Sequence, residues 1–181
     1  MVGVLVLAVV LEAALCVVLA LRLRAARSLA VDGLTGCLVR SVVERRVAGD
    51  FGGAVVFVDV DGLKVVNDLF GHVEGDRLLA RAGQVLRASV RPGDVVCRWG
   101  GDEFVVCLWG CSLSDAELVA GRLRSALEAA GVSASCGVAV AEPGERFSEV
   151  VARADAAMYW EKRAVLDGAV RHPVGRVPVW R

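Results

Sequence analysis

The chain has 181 residues, which is room for one domain of ordinary size and one additional segment. Its 21 basic and 21 acidic side chains give a net charge of zero. Because nucleic-acid-binding domains usually carry a basic excess, this balance argues against nucleic acid as a partner. The hydrophobic fraction of 56% is high for a soluble domain, and much of it comes from the N-terminal stretch.

Residues 2–21 form an apolar run whose single charge is Glu12. A run of this length crosses the ~30 Å hydrocarbon core of a bilayer, and its leucines and valines outweigh the cost of one acidic residue. Arginines follow directly, and positive residues beside a span stay in the cytoplasm. The sequence therefore predicts a single-pass helix over 1–22 in the inner (cell) membrane, a helical connector over 23–31 and a cytoplasmic C-terminal domain. A buried or coiled-coil helix that pairs with a second protomer is the alternative.

Beyond the connector, apolar periodicity predicts the elements of one domain over 32–165. A helix is expected over 37–48. The nearly continuous β-branched run over 54–60 is typical of a central strand. Two helices follow it, over 63–70 and 75–90.

In the second half of the domain, two apolar runs joined by Gly100-Gly101 indicate a β-hairpin. A helix over 113–130, a strand over 133–141 and a helix over 146–165 complete the domain, and a tail over 166–181 follows. The order of elements is helix, strand, helix, helix, strand, strand, helix, strand, helix. This order predicts an α+β fold with helices on a central mixed sheet, and it fits a ferredoxin-like, palm-type core.

Carboxylates are concentrated where two of the predicted strands end. Asp59 lies at the end of the central strand, and Asp102 and Glu103 lie just past the hairpin tip. If the hairpin lies beside the central strand, these acids converge at one edge of the sheet. Hard oxygen ligands of this kind suit Mg²⁺, and two metals could bridge the attacking and leaving oxygens of a phosphoryl transfer. Acidic residues that flank a solvated turn are the alternative.

The stretch after the central strand favours a nucleotide. Gly62, Leu63 and Lys64 open a helix, whose free backbone N–H groups favour phosphate, and Lys64 adds a positive charge. Asn67 and Asp76 offer an amide and a carboxylate, which together are able to read the edge of a guanine base. Taken singly, each of these two is also explained as a surface or capping residue.

These motifs together resemble the diguanylate cyclase (GGDEF) family in order and spacing. The resemblance extends from an entry motif at 32–36 to a last helix at 154–162, and it covers roughly residues 22–165. The segments that carry it are Asp59-Val-Asp61-Gly-Leu-Lys64, Asn67-Asp68, Gly71-His72, Gly75-Asp76 and Gly100-Gly101-Asp102-Glu103-Phe104.

The resemblance implies a nucleotide cyclase core with the following roles. Asp59 and Asp102, with the Val60 carbonyl, would bind Mg²⁺ (Mn²⁺ as a substitute). Glu103 would act on the attacking 3′-hydroxyl as general base or second-metal ligand, and Lys64 would neutralise charge in the transition state. The residues implied in substrate binding are Asn67 and Asp76 at guanine, His72 near the nucleoside, and Gly62, Leu63, Lys64 and Lys162 at the phosphates.

The resemblance also implies the reaction, in which two GTP molecules become cyclic di-GMP and two pyrophosphates. Because each domain holds one GTP, a two-fold homodimer must bring two half-sites together. Arg91 and Asp94 resemble the family's RxxD site, where cyclic di-GMP binds as an inhibitor. An arginine at a helix end and an aspartate in a turn are the alternative for this pair.

Three departures from the family pattern keep a second interpretation open. Leu63 stands where an aromatic residue is usual, and the segment after Lys162 lacks the arginine that usually contacts phosphate. The connection between the 113–130 helix and the 133–141 strand is short, as if a strand had been trimmed. The alternative function is therefore a catalytically weak GGDEF domain that acts as a cyclic di-GMP-binding signalling module.

Overall fold

The computed structural model describes residues 30–47 and 51–166, the last three of them in backbone only, together with Glu12 and 15–19, which are helical. The chain divides into two compact units, residues 1–31 and 32–181. No helix within the described ranges is both long and apolar enough to cross a membrane. Most of the predicted span and connector, and nearly all of the 166–181 tail, lie outside the described residues.

The second unit is built around a five-stranded sheet with the strand order β1-β3-β4-β2-β5. The β1–β3 pair is parallel and the other three pairs are antiparallel, so the sheet is mixed, as predicted. The predicted central strand is β2, which lies between β4 and β5 and is buried at every position but one. The strands are β1 (Leu38–Val39), β2 (Gly53–Val60), β3 (Val95–Arg98), β4 (Glu103–Trp109) and β5 (Ala134–Val140).

Helices cover both faces of this sheet. The helices are α1 (Arg40–Arg46), α2 (Leu63–Phe70), α3 (His72–Ala88), α4 (Leu113–Ala129) and α5 (Phe147–Leu166). Alternate residues of β2 point to opposite faces, so that Val56 and Val58 pack with α3 and α4, whereas Val55 and Phe57 pack with α1 and α5. The α+β prediction is confirmed. The run from β2 to β5 follows the β-α-β-β-α-β order of ferredoxin-like folds, with the two helices α2 and α3 in the place of the first helix.

Two boundaries differ from the sequence prediction. The predicted helix over 37–48 begins only at Arg40, because Leu38 and Val39 are extended and pair with Cys97 and Arg98 of β3. A side-chain turn causes this: Asp32 Oδ1 accepts bonds from the backbone N–H and the hydroxyl of Thr35, at 2.8 and 2.7 Å, which sets the chain beside β3. Helix α3 begins earlier than predicted, at residue 72 instead of 75.

Candidate active site

The pairing of β2 with β4 brings the predicted carboxylates to one edge of the sheet. Asp59 lies directly opposite Glu103 in this ladder, and the Val60 N–H donates to the Asp102 carbonyl at 3.0 Å. The Gly-Gly hairpin closes here through a bond from the Trp99 N–H to the Glu103 carbonyl, 2.8 Å long. The predicted convergence of Asp59, Asp102 and Glu103 is therefore present.

The Glu103 side chain lies back over the hairpin tip. A Cβ atom built at Gly100 would be 2.6 Å from Glu103 Oε2, so a side chain at position 100 would require this carboxylate to shift. Burial raises the pKa of Glu103, and the nearby charges of Asp155, Asp102 and Asp59 raise it further. A carboxylate with a raised pKa is better suited to accept a proton near neutral pH.

The Asp59 carboxylate forms an ion pair with a lysine from the last helix of the domain. Lys162 Nζ of α5 lies 2.5 Å from Asp59 Oδ1 and 3.3 Å from Asp61 Oδ1. Burial raises the pKa of Asp59 even though this ammonium group opposes the shift. Lys162, which the family resemblance assigned to the phosphates, therefore lies at the carboxylate edge in this structure.

The predicted phosphate-binding turn lies at the start of α2. Gly62 precedes the helix, and no side chain caps the N–H groups of the first turn. Lys64 is exposed in that turn. Uncapped N–H groups with a lysine beside them are able to bind an anion.

The predicted guanine-binding residues lie where α2 and α3 meet. The Asn67 side chain packs against Gly75, so closely that a Cβ atom there would lie 1.9 Å from Asn67 Oδ1. Asp76 follows Gly75 on the exposed side of α3, and His72 is exposed at the start of the same helix. Asn67 therefore lies against the residue that precedes Asp76.

The donor set at the sheet edge fits a hard divalent cation of the Mg²⁺ type. Within the described ranges, no three His, Cys, Asp or Glu side chains are close enough to hold a metal by themselves. Mg²⁺ is usually bound by one or two carboxylates, and water and substrate phosphates supply the other positions. Asp59 and Asp102 supply two carboxylates at this edge, where the backbone of Val60 pairs with Asp102, and so they match that requirement.

Residues 31–166 match the family described as "Diguanylate cyclase, GGDEF domain". This match covers most of the chain and contains the whole carboxylate edge. The chain belongs to the GGDEF family.

Curated relatives of this GGDEF chain are longer proteins. It is 34% identical over 153 residues to diguanylate cyclase DgcP of Pseudomonas aeruginosa, covering 75% of this chain and 23% of DgcP. It is 36% identical over 131 residues to diguanylate cyclase DgcM of Escherichia coli, covering 69% of this chain and 31% of DgcM. The chain thus spans less than a third of the length of these two relatives.

Solved structures share the fold of the domain. Diguanylate cyclase SiaD of Pseudomonas aeruginosa, in complex with its activator SiaC, superposes with a TM-score of 0.71 at 32% identity, covering 86% of this chain and 67% of SiaD. The coiled coil and GGDEF domain of DgcB from Caulobacter crescentus, in complex with c-di-GMP, gives a TM-score of 0.72 at 27% identity, covering 85% of this chain and 95% of that one.

The predicted RxxD pair lies away from the carboxylate edge, in the turn between α3 and β3. Arg91 Nε is 3.2 Å from Asp94 Oδ2, and Arg91 Nη2 donates to the Trp109 carbonyl at 2.6 Å. The Arg91 side chain is 61% exposed, whereas that of Asp94 is only 6% exposed. Both line an open cleft of about 440 Å³, to which Arg87 also contributes. The two predicted residues thus lie together beside a cavity.

Sequence reasoning missed one residue that braces the GGDEF hairpin. Arg98 bonds both carboxylate oxygens of Asp32 at 3.2 Å, and its Nη2 donates to the Gly101 carbonyl at 2.8 Å. It therefore ties the entry turn to the hairpin tip. An arginine immediately before the hairpin was the only signal in the sequence, because Asp32 is 66 positions away.

Proposed function

We propose that this chain is a diguanylate cyclase that condenses two GTP molecules into cyclic di-GMP and two pyrophosphates. The observation that carries the proposal is the convergence of Asp59, Asp102 and Glu103 at one sheet edge, with Lys162 in contact and the uncapped start of α2 nearby. Carboxylates for a metal, N–H groups for phosphate and a candidate base are the parts that a nucleotidyl transfer needs.

Each group has a defined task in the reaction. The 3′-oxygen of one GTP attacks the α-phosphorus of the other, its proton passes to Glu103, and the bond to pyrophosphate breaks. Asp59 and Asp102 would hold Mg²⁺ or Mn²⁺, which supplies Lewis-acid charge at the phosphates. The α2 N-terminus and Lys64 stabilise the negative charge that develops on the leaving pyrophosphate.

Substrate specificity is assigned to the junction of α2 and α3. Asp76 would accept hydrogen bonds from the ring N–H and amino group of guanine, and Asn67 would donate its amide N–H to the base. His72, at the start of α3, would border the nucleoside. Adenine has neither the ring N–H nor the 2-amino group that Asp76 would bind in guanine, so GTP is the proposed substrate.

One half-site is insufficient for this chemistry, since it binds a single GTP. We propose a two-fold homodimer in which the 3′-hydroxyl of the GTP bound by each domain attacks the α-phosphate of the GTP bound by its partner. The full chain, incubated with GTP and Mg²⁺, should therefore form cyclic di-GMP with a rate per protein molecule that rises with protein concentration and then levels off. A rate per molecule that is constant down to the lowest concentration would contradict the dimer. Complete absence of product would leave the cyclic di-GMP-binding module as the function.

Product inhibition is proposed at the Arg91–Asp94 cleft. The Arg91 guanidinium is exposed and is able to turn from Asp94 to a guanine edge or a phosphate, and Asp94 would then accept from guanine. Arg91→Ala should raise the concentration of cyclic di-GMP that halves the rate by roughly tenfold or more, because a bidentate charged contact is lost. Arg45→Ala, at an exposed position on α1, is the matched control and should leave that concentration unchanged. Equal inhibition of the Arg91 variant and the wild type would remove this assignment.

The N-terminal run is proposed to anchor the protein in the cell membrane, with the GGDEF domain in the cytoplasm. The support is the apolar composition of residues 2–21 and the arginines that follow them. The full chain should remain in the membrane fraction after alkaline extraction. Complete release into the supernatant would contradict the anchor.

A further inference from the structure

Asp61, for which the sequence predicted no role, lies at the centre of a polar network beside the carboxylate edge. Its Oδ1 accepts from the Ser135 hydroxyl at 3.0 Å, and its Oδ2 accepts from the Ser133 hydroxyl at 3.1 Å. Its backbone N–H donates to the Ser133 carbonyl at 2.9 Å. Because each oxygen has its own partner, the carboxylate is oriented as well as placed.

The pairing of β2 with β5 explains why two serines reach this carboxylate. Asp59 lies opposite Ser135, and the ladder ends with the backbone bond from Asp61 to Ser133. Asp61 follows the end of β2, and the carboxylates of Asp59 and Asp61 both lie within ion-pair distance of α5. Lys162 is the residue of α5 that meets them.

The base of the Lys162 side chain is held firmly. One turn earlier in α5, Met158 is buried in the core and its backbone lies against Gly137 of β5. The Lys162 side chain is 35% exposed, and its ammonium lies between the two aspartates, closer to Asp59. The Lys162 ammonium is therefore paired with Asp59, the same carboxylate that is proposed to bind the metal.

We propose that Asp61 is a positioning residue for Lys162. It keeps the Lys162 ammonium at the carboxylate edge while the ammonium moves from Asp59 to the substrate phosphates. The inference rests on the proposed function. Before substrate binds, Lys162 is the counter-ion of Asp59. A metal ion that binds Asp59 would displace the ammonium by charge repulsion, and Asp61 would retain the ammonium beside the substrate phosphates. Without Asp61, the displaced lysine would be free to extend into solvent.

A double-mutant cycle on nucleotide binding tests this coupling. Two ligands are compared, an α,β-methylene analogue of GTP and unmodified GMP. The binding of each to the full chain is measured by calorimetry with Mg²⁺ present. Asp61→Asn and Lys162→Met should each weaken binding of the analogue about tenfold, and the double variant should also lose only about tenfold. GMP affinity should not change, because GMP lacks the β- and γ-phosphates, which are the ones that Lys162 is proposed to contact. Losses that multiply to about a hundredfold would overturn the proposal.

Lys64→Met supplies the matched control. It removes the same charge from the same edge, and within the described ranges no carboxylate lies at ion-pair distance from Lys64. Its effect should therefore multiply with that of Asp61→Asn, since the two residues do not touch. Coupling of Lys64 to Asp61 as strong as that of Lys162 would mean that only general charge is sensed, and it would overturn the proposal.

Mn²⁺ binding without nucleotide gives a readout that is independent of turnover. If the Lys162 ammonium is paired with the Asp59 carboxylate, its removal frees that carboxylate to bind a metal. Lys162→Met should therefore strengthen Mn²⁺ binding several-fold more than Lys64→Met does. Electron paramagnetic resonance measures the bound Mn²⁺. Equal strengthening by the two variants would contradict the placement of Lys162 on Asp59.

Folding and function are separated by two further observations. If Asp61→Asn lowers the thermal unfolding temperature strongly, Ser135→Ala replaces it, because that change removes one donor to Asp61 and keeps the charge. Ser135→Ala should weaken binding of the GTP analogue more than binding of GMP, although by a smaller factor than Asp61→Asn does. Equal weakening of the binding of both ligands would count against the proposal. A wild-type chain that makes product while the cycle is multiplicative overturns this inference alone. A wild-type chain that binds no analogue and makes no product overturns the proposed function as well.

Discussion

Replacing Glu103 with Gln is expected to lower the rate of cyclic di-GMP formation by roughly a thousandfold, within the range that general acid–base catalysis contributes. The amide has the same shape but cannot take the proton of the 3′-hydroxyl or bind a metal with full charge. The backbone of Glu103 still closes the hairpin onto Trp99 and still pairs with Asp59, so the fold should remain. Initial rates with GTP and Mg²⁺, measured by chromatography of the products, give the result.

The control for this variant is Glu128→Gln, an identical change at an exposed position on α4. It should retain the wild-type rate, and both variants should unfold at the wild-type temperature. A Glu103→Gln protein that keeps a tenth or more of the rate would show that another group accepts the proton. Asp155 is then the first residue to replace, since its charge acts on Glu103.

Gly137→Ala is expected to destabilise the domain by about 3 kcal/mol or more, at the upper end of the cost of overpacking a core. A Cβ atom at this position would lie 2.1 Å from both the Ala154 carbonyl oxygen and the Met158 backbone nitrogen. These are backbone atoms, so α5 itself must move away from β5. The melting temperature should fall by roughly 10 °C, as thermal denaturation would show.

Gly121→Ala is the matched control for that change. Gly121 lies inside α4, and a Cβ atom built there meets no other atom within 4 Å. Alanine in a helix interior is favoured over glycine by about 0.5–1 kcal/mol, so this variant should be slightly more stable than the wild type. If the two glycine variants melt alike, the close contact between α5 and β5 is not as described.

The displacement of α5 by Gly137→Ala should also change the carboxylate edge. Lys162 lies one turn beyond Met158, so a displaced helix withdraws the ammonium from Asp59 and Asp61. Below its melting temperature, Gly137→Ala should therefore bind GTP more weakly than Gly121→Ala does.

The central part of this fold could be predicted from local sequence signals. The unbroken β-branched run of β2 reads as a buried strand, and the Gly-Gly step predicts the hairpin that follows. Together they predict that Asp59, Asp102 and Glu103 meet on the condition that the hairpin lies beside β2, and the pairing of β2 with β4 meets that condition. The family resemblance added Lys162, whose contact with Asp59 spans 103 positions and has no local signal.

The parts that were missed depend on long-range pairing. β1 is two residues long and exists only because Leu38 pairs with Cys97 across the domain, so helical periodicity outweighed it in the prediction. The Asp61 network requires the register between β2 and β5, and Asp61 is 72 positions from Ser133. No periodicity specifies which serine at the start of β5 will face which aspartate at the end of β2.

The most direct test of the proposed activity is a time course that counts both products. The full chain at high concentration is incubated with GTP and Mg²⁺, and cyclic di-GMP and pyrophosphate are quantified in the same samples. Condensation of two GTP molecules predicts two pyrophosphates for every cyclic di-GMP, and no cyclic dinucleotide when ATP replaces GTP. Pyrophosphate release without cyclic di-GMP, or no product of either kind, would contradict the assignment of this chain as a diguanylate cyclase.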